Sequence, residues 1–234
     1  MSLLTLVQQA ADTVGVPRPA TVINNSDRNV QTLLSLAQFE GVALSSRGPW
    51  QEQMREATFT TTAGVADYPM ATIAPDFSYL VKQTLFDRSN NREISGPLSP
   101  HRWQTAQLAS GGLTSAFRIR EGQLRLTPTP TDSWNMAFEY CSRNWCRSAG
   151  GVDQSAWMAD SDTGILSEYL MTLGLIWRFL KAKGLAWGDE YRVWQEEVKR
   201  ELGRSGGAAE LDLGPRGAGC VGQSINVPES GFGP

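Results

Sequence analysis

The sequence predicts an α+β fold that is mainly helical: a four-helix bundle with a small antiparallel β-region inserted between its halves and an extended C-terminal arm. Apolar residues recur at helical spacing near both ends of the chain, over residues 3–44 and 166–202. Between them, short β-branched and alternating stretches are typical of strands. The last 30 residues contain 8 glycines and 3 prolines and keep neither period for long, which predicts an arm without a core of its own.

Changes in composition divide the chain into four predicted segments. Residues 1–56 form the N-terminal helical part of the bundle, and residues 57–145 form the inserted β-region. Residues 146–204 form the C-terminal helical part, and residues 205–234 form the arm. Because each helical part carries two amphipathic helices, we expect the two parts to close one bundle.

The N-terminal part contains two predicted helices. The first begins after Ser2 and ends at Gly15. Its apolar face consists of Leu3, Val7, Ala10 and Val14. The second is capped by Ser26 or Asp27 and ends before Gly48. Its apolar stripe consists of Val30, Leu33, Leu34, Ala37, Gly41 and Leu44. The N-terminus lacks a basic stretch, so we expect a structural helix there and no signal peptide.

The clearest strands of the β-region lie in "AFRIREGQLRLTP". If residues 121–122 form the turn, Ile119 faces Leu124 and Phe117 faces Leu126, which places four apolar residues on one side. The stretch "WNMAFEY" then predicts a third strand of the same sheet. Its apolar face consists of Trp134, Met136, Phe138 and Tyr140.

The predicted hairpin also gathers three arginines, Arg118, Arg120 and Arg125. Its register places Arg118 directly opposite Arg125, and like charges in that position destabilise a strand pair. Two interpretations remain open at this point. Either the two side chains are solvated and point apart, or they form a patch that awaits a carboxylate from another chain, or phosphate.

Two more helices are predicted after the β-region. Asp162 or Thr163 can cap the first of them, and Gly184 ends it. One apolar stripe of this helix consists of Leu166, Tyr169, Leu170, Leu173, Ile176, Trp177 and Leu180. A second stripe consists of Met171, Leu175 and Phe179. Because a helix that is apolar on two sides must be covered on two sides, we expect the second stripe to form intersubunit packing. The last helix, "DEYRVWQEEVKREL", carries its charges opposite an apolar face.

Composition excludes several classes of protein. The formal net charge of −3 gives no general attraction to nucleic acid or to an anionic membrane. No stretch approaches the length of apolar sequence that spans a bilayer. The three cysteines, Cys141, Cys146 and Cys220, show no metal-like pairing, so we expect reduced thiols in a cytosol.

Residues that carry chemistry are few. His101 is the only histidine, so a Ser/His/Asp or Cys/His arrangement has no second candidate to draw on. There is no metal-ligand spacing and no phosphate-binding loop. We therefore expect no enzyme, no cofactor and no metal. A hydrolase that uses only two carboxylates across a cleft remains an alternative.

The predicted arm carries few apolar residues for its length. They are Leu211, Leu213, Val221, Ile225, Val227 and Phe232. Burying six side chains offsets only part of the conformational entropy that is lost when thirty residues become ordered. We therefore expect these six residues to make contact with a partner on which the arm becomes ordered.

Five stretches carry a resemblance to a known family. They are "LTLVQQAADTVGVPRPATV", "REATFTTTAG", "TLFDRSNNREISGPLSPHRWQ", "FRIREGQLRLTPTP" and "DTGILSEYLMTLGLIWRFLKAKGLAW". In this order they resemble the head-to-tail adaptor proteins of tailed bacteriophages, and among these the tail accessory factors of short-tailed phages. The resemblance covers most of residues 1–205.

The resemblance implies a structural protein of the virion neck that is assembled in the host cytoplasm. Such adaptors form a ring, typically of twelve copies, beneath the portal protein and around the DNA channel. Their C-terminal arms bind the portal, and their distal face receives the tail nozzle or tube. Double-stranded DNA would pass nonspecifically, no membrane is involved, and the three arginines would line the channel or a subunit contact. The alternatives are another neck or tail-completion protein and a virion-associated cell-wall hydrolase.

Overall fold

The computed structural model describes residues 2–108 and 115–205 of the 234-residue chain. Within these ranges the helices are α1 (Leu3–Val14), α2 (Arg28–Ser45), α3 (Met70–Ile73), α4 (Pro100–Leu108), α5 (Glu168–Ala182) and α6 (Gly188–Ser205). The strands are β1 (Met54–Thr60), β2 (Asp67–Pro69), β3 (Phe77–Leu80), β4 (Phe86–Asp87), β5 (Arg92–Glu93), β6 (Ala116–Arg120), β7 (Gln123–Thr127), β8 (Asn135–Ser142), β9 (Cys146–Arg147), β10 (Asp153–Gln154) and β11 (Thr163–Gly164).

The predicted fold class, a mainly helical four-helix bundle with a small β-region, is wrong. The described residues form an α+β fold in which the strands build three antiparallel sheets. Six of the strands, β2, β4, β5, β9, β10 and β11, have only two or three residues. A strand of that length is too short to show alternation, so the sequence pattern underestimated the sheet content.

The largest sheet is organised around β8. This strand pairs with β1 along one edge, while β3 and β4 pair with it elsewhere and β5 extends the sheet from β4. The β2, β7 and β6 strands form a second sheet, and β10, β9 and β11 form a third. The prediction that β8 is a third strand of the hairpin sheet is therefore wrong. Met136, Phe138 and Tyr140 are buried as the alternation predicts, but Ala137 and Cys141 on the opposite face are buried as well. Alternation also does not determine which strand pairs with β8.

The ends of the helices follow from local capping. Ser2 accepts a hydrogen bond from the Thr5 amide in a capping box before α1, and Gly15 ends the helix with a φ of 73°. Asp27 caps α2 by accepting from the Asn29 amide at 2.7 Å. The predicted starts of both helices are confirmed.

The predicted cap of α5 is wrong. The helix begins at Glu168, after Ser167 in the N-cap position. Asp162 instead accepts hydrogen bonds from the Met158 amide at 2.7 Å and the Ala159 amide at 2.9 Å, so it closes the loop before the helix. An aspartate before an apolar stripe can stabilise either a turn or a helix cap, and Asp162 stabilises a turn.

Two hydrophobic cores organise the described residues. The first lies where α5 contacts α1, α2 and α6. It is completed by Trp50, Trp145 and Trp157, which lie outside the helices. The second is formed by residues of the β8 sheet and of the β2-β7-β6 sheet, and it includes Phe117, Leu124, Met136 and Phe138. The helical half is therefore not closed by helices alone, because tryptophans from the connecting segments fill its core.

Candidate interaction surfaces

The point where the arm leaves the body of the protein is fixed. The helix α6 ends at Ser205, whose hydroxyl oxygen accepts a hydrogen bond from the Gln51 amide at 3.0 Å. A few residues earlier, Leu202 packs so closely on Gly48 that a Cβ at residue 48 would come within 2.6 Å of it. The six arm residues Leu211, Leu213, Val221, Ile225, Val227 and Phe232 lie outside the described residues. The arm therefore starts beside the segment that follows α2.

A buried carboxylate joins the three helices that support this exit point. Glu40 of α2 is 1% exposed, forms an ion pair with Arg178 of α5 and accepts a hydrogen bond from the Trp194 indole of α6 at 2.9 Å. Burial raises the pKa of Glu40, and the neighbouring Arg178 opposes that shift. Gly174 provides the space, because a Cβ there would overlap the Glu40 carboxylate. This site could not be predicted from the sequence, since an acid within an apolar stripe gives no indication of its partners.

Aromatic rings attach α6 to α5. Trp177 contacts Tyr191 and Trp194 with ring centroids 5.0 and 5.7 Å apart. Trp187 stands 6.1 Å from Trp177, and the Arg47 guanidinium lies 4.6 Å from the Trp194 ring centroid. Three of the eight tryptophans thus hold the helix that leads into the arm.

The second apolar stripe of α5 is covered within the chain. Met171, Leu175 and Phe179 are all buried in the helical core. The helix is apolar on two sides because α1, α2 and α6 surround it. Because the three residues are buried within their own chain, they have little surface with which to contact a second copy. The two apolar sides of α5 therefore do not require a neighbouring subunit.

An exposed face that lacks charge lies instead on α2. We define the α2 outer face as Gln31, Ser35, Phe39 and Val42, all of which are exposed. Phe39 is 60% exposed and Val42 is 53% exposed. The helix has two charged residues, Arg28 at its first position and the buried Glu40. By contrast, the exposed side of α6 carries Arg192, Glu196, Lys199 and Arg200. Only the exposed side of α6 is charged in the way that is usual for a solvated helix.

A groove runs beside the α2 outer face. This α2 groove has a volume of about 590 Å³ and is lined by Gln31, Leu34, Ser35, Gln38, Phe39, Val42 and Trp157. The Gln38 side chain accepts a hydrogen bond from the Trp157 amide at 2.9 Å. The indole Nε1 of Trp157 is buried and has no hydrogen-bond partner within the described ranges. The lining of the groove is therefore uncharged and largely apolar.

The arginine hairpin has the register that the sequence predicts. Phe117 pairs with Leu126 and Ile119 pairs with Leu124, which confirms the turn at residues 121–122. Arg118 lies opposite Arg125, as expected.

Two of the three arginines have acidic partners. Arg125 has Asp67 at 3.5 Å and Glu121 at 3.8 Å, and Arg120 has Glu121 at 2.9 Å. Arg118 forms no ion pair with any residue that the structure describes. The structure thus brings the three arginines together on one hairpin and leaves only Arg118 without an acid.

The cysteines, the histidine and the carboxylates are the side chains that could react or hold a metal ion. Cys141 and Cys146 are free and buried, and burial raises the pKa of both thiols, to about 12 for Cys146. Cys220 lies outside the described residues. His101 is exposed near the start of α4. Within residues 2–108 and 115–205, no group of three or more His, Cys, Asp or Glu side chains is placed to hold a metal ion.

Among the helices of residues 2–108 and 115–205, none is both long enough and apolar enough to cross a membrane.

The described residues thus combine a helical support for the C-terminal segment, an exposed helix face without charge and a hairpin that carries three arginines. A family model described as SU10 adaptor protein matches residues 1–217. The chain therefore belongs to the SU10 adaptor protein family, a family of phage head-to-tail adaptors. The match continues past Ser205, the last described residue, into the arm. The comparison with curated proteins found no match.

Membership in this family gives the general function and the location of the protein. It is a structural adaptor of a bacteriophage, and its place is in the virion. The family implies contacts with phage portal and tail components. The resemblance seen in the sequence is confirmed.

Proposed function

We propose that this adaptor forms a ring, typically of twelve copies, beneath the portal, joins the portal to the tail nozzle or tube and continues the DNA channel. The observation that supports the proposal is the match to the adaptor family over residues 1–217, which includes the start of the arm. A ring of identical chains needs only one set of contacts, repeated around a closed axis.

In this proposal residues 205–234 act as the portal-binding arm. Ser205 is held at Gln51 by the hydrogen bond described above, so each arm starts from a fixed point on its subunit. Leu211, Leu213, Val221, Ile225, Val227 and Phe232 supply the apolar contacts to the portal. Because six side chains do not offset the entropy of ordering, we expect main-chain hydrogen bonds to the portal as well, in the manner of strand addition. Several arms on one ring would add avidity.

The arginines of the hairpin complete the proposal. Arg118, Arg120 and Arg125 would face the channel or a neighbouring subunit, with Arg118 as the arginine that is free to pair there. Contacts with passing DNA would be to phosphate and independent of sequence.

The experiment that tests the proposal replaces residues 206–234 with a Gly/Ser segment of equal length. Binding to the purified portal is measured by size-exclusion chromatography and electron microscopy, with the wild-type chain as reference. We expect the variant to remain folded and to lose portal binding. Undiminished binding would contradict the role of the arm. A wild-type ring that binds a tail component and not the portal would favour another neck or tail-completion protein.

A further inference from the structure

The α2 groove has the composition of a surface that is covered by protein. Its walls include the exposed side chains of Phe39 and Val42 and the half-buried Leu34, and none of its lining residues is charged. Adjacent exposed apolar side chains in a concave surface are a place where a protein segment can bind. The Arg178 guanidinium lies 4.7 Å from the Phe39 ring centroid, but it is already paired with the buried Glu40. We therefore expect an uncharged occupant, because a charged one would lose hydration without gaining an ion pair to a lining residue.

One segment of this chain has matching chemistry. Residues 217–228, "GAGCVGQSINVP", contain no charged residue and are flanked by Arg216 and Glu229. They carry the aliphatic side chains of Val221, Ile225 and Val227 among small and amide residues. These twelve residues form the longest uncharged stretch that follows Ser205.

The same segment is within reach of the groove. The hydrogen bond between Gln51 and Ser205 places the start of the arm beside Gln51. Gln51 follows Val42 by nine residues, so Gln51 and Val42 lie no more than about 32 Å apart. The chain from Ser205 to Gly217 spans up to about 40 Å when extended. The groove of the same molecule is therefore accessible, and a tether of this length gives an effective concentration on the order of millimolar.

We propose that residues 217–228 occupy the α2 groove of their own chain before the protein meets the portal. The segment covers the exposed side chains of Phe39 and Val42. This proposal goes beyond the portal-binding function, since it assigns the arm a first docking site on its own subunit. Portal and groove then compete for Val221, Ile225 and Val227, so the arm is released from the groove as the portal binds it.

Disulfide trapping in the full-length protein tests this proposal. Cys220 lies within the docking segment, and Cys141 and Cys146 are buried. Val42→Cys introduces one further exposed thiol at the groove. The matched control is Lys199→Cys on the exposed side of α6. Residue 199 precedes Ser205 by 205 − 199 = 6 residues, about 9 Å along the helix, so Cys220 can reach it as well.

Under mild oxidation we expect Val42→Cys to form an intramolecular disulfide with Cys220 at least about tenfold faster than Lys199→Cys. Adding Phe39→Asp to the Val42→Cys protein should reduce the rate toward that of the control. Equal rates at residues 42 and 199 would overturn the proposal. A predominance of disulfide-linked dimers would also overturn it, because the segment would then occupy the groove of another copy.

Adding the purified portal separates this inference from the proposed function. If both hold, the portal slows the disulfide at residue 42. If trapping occurs and the portal neither binds nor slows it, the portal-binding role fails and the docking of the arm stands. If the portal binds through the arm and trapping never exceeds the control, the docking proposal fails alone.

Discussion

Gly41 of α2 lies directly against the indole ring of Trp145, and a Cβ on Gly41 would come within 2.4 Å of that ring. The contact fixes α2 against the segment that leads from β8 into β9. Trp145 is 1% exposed and also packs edge-on against Trp157 at a centroid distance of 5.1 Å. The close approach therefore joins the helical core to the wall of the α2 groove.

Gly41→Ala tests this contact. Alanine favours an α-helix over glycine by up to ~1 kcal/mol, but the new methyl group must displace a buried ring, which costs about 1–3 kcal/mol. We expect a net loss in the free energy of unfolding, measured in urea. Gly203→Ala in α6 is the control, because no atom lies within 4 Å of a Cβ there. That variant should be neutral or more stable, and equal effects at both sites would contradict the packing.

The reason that residue 41 is a glycine cannot be predicted from the sequence. In the helical stripe of α2 it occupies an ordinary core position, and the ring that excludes a side chain comes from a distant part of the chain. The hairpin of β6 and β7 is the opposite case. Its register follows from a local turn and from alternation, both of which are visible in the sequence.

The sheet content was underestimated because, as for Gly41, the partners come from distant parts of the chain. Strands of two residues such as β4 and β9 are defined by long-range pairing, and no local pattern indicates them. Likewise, Glu40 appears as a single acid in an apolar stripe, and only the fold brings Arg178 and Trp194 to it. Local sequence patterns predict helices, longer strands and many of their buried residues. They do not predict which distant residues contact each other in the fold.

Removing the buried carboxylate should strongly destabilise the helical core. Glu40→Ala leaves the Arg178 guanidinium and the Trp194 indole without their acceptor, and breaking a buried pair in this way costs about 3–5 kcal/mol. In the double variant Glu40→Ala/Arg178→Met the charge is also removed, so we expect at least ~1 kcal/mol less destabilisation than the sum of the single effects. Urea unfolding of all four proteins measures this coupling.

An exposed ion pair provides the comparison for that cycle. Asp189 and Arg192 pair at 3.3 Å on the surface of α6. Asp189→Ala should change the free energy of unfolding by less than about 1 kcal/mol. If Glu40→Ala is no worse than Asp189→Ala, the carboxylate does not hold the three helices together.

Acid should weaken the β-region through Asp76. Burial by itself raises the pKa of this carboxyl group, but hydrogen bonds from the Ser142 and Tyr140 hydroxyls, at 2.5 and 2.6 Å, lower it below its usual value of 3.8. A carboxyl group whose pKa is depressed in the folded state stabilises the fold fully above its unfolded pKa. That contribution is lost as the pH falls from 3.8 through the folded value.

Tyr140→Phe should therefore make the loss of stability below pH 3.8 less steep, because the pKa of Asp76 moves back toward its usual value. At neutral pH the variant should lose roughly 1–3 kcal/mol, the range for a hydrogen bond to a charged group and for an acceptor left unsatisfied. Tyr68→Phe is the matched control, since its hydroxyl donates to the Val65 carbonyl oxygen at 2.8 Å and to no carboxylate. It should lower stability equally at every pH. Parallel pH profiles for the two variants would rule out the role of Asp76.

Arg118 allows its two interpretations to be separated in one protein. It faces Arg125 across the hairpin, so Arg118→Glu replaces a like-charge pair with an opposite-charge pair and should stabilise the isolated chain by about 0.2–1 kcal/mol. Arg118→Gln, which only removes the repulsion, should give a smaller gain. If Arg118 belongs to a channel or intersubunit patch, the glutamate variant must at the same time weaken ring assembly or DNA retention, because an acid replaces the arginine that awaits a carboxylate or phosphate. If the glutamate variant is more stable and its assembly and DNA retention are unchanged, Arg118 belongs to the solvated surface. If it is more stable and its assembly is impaired, the arginine has a partner outside its own chain.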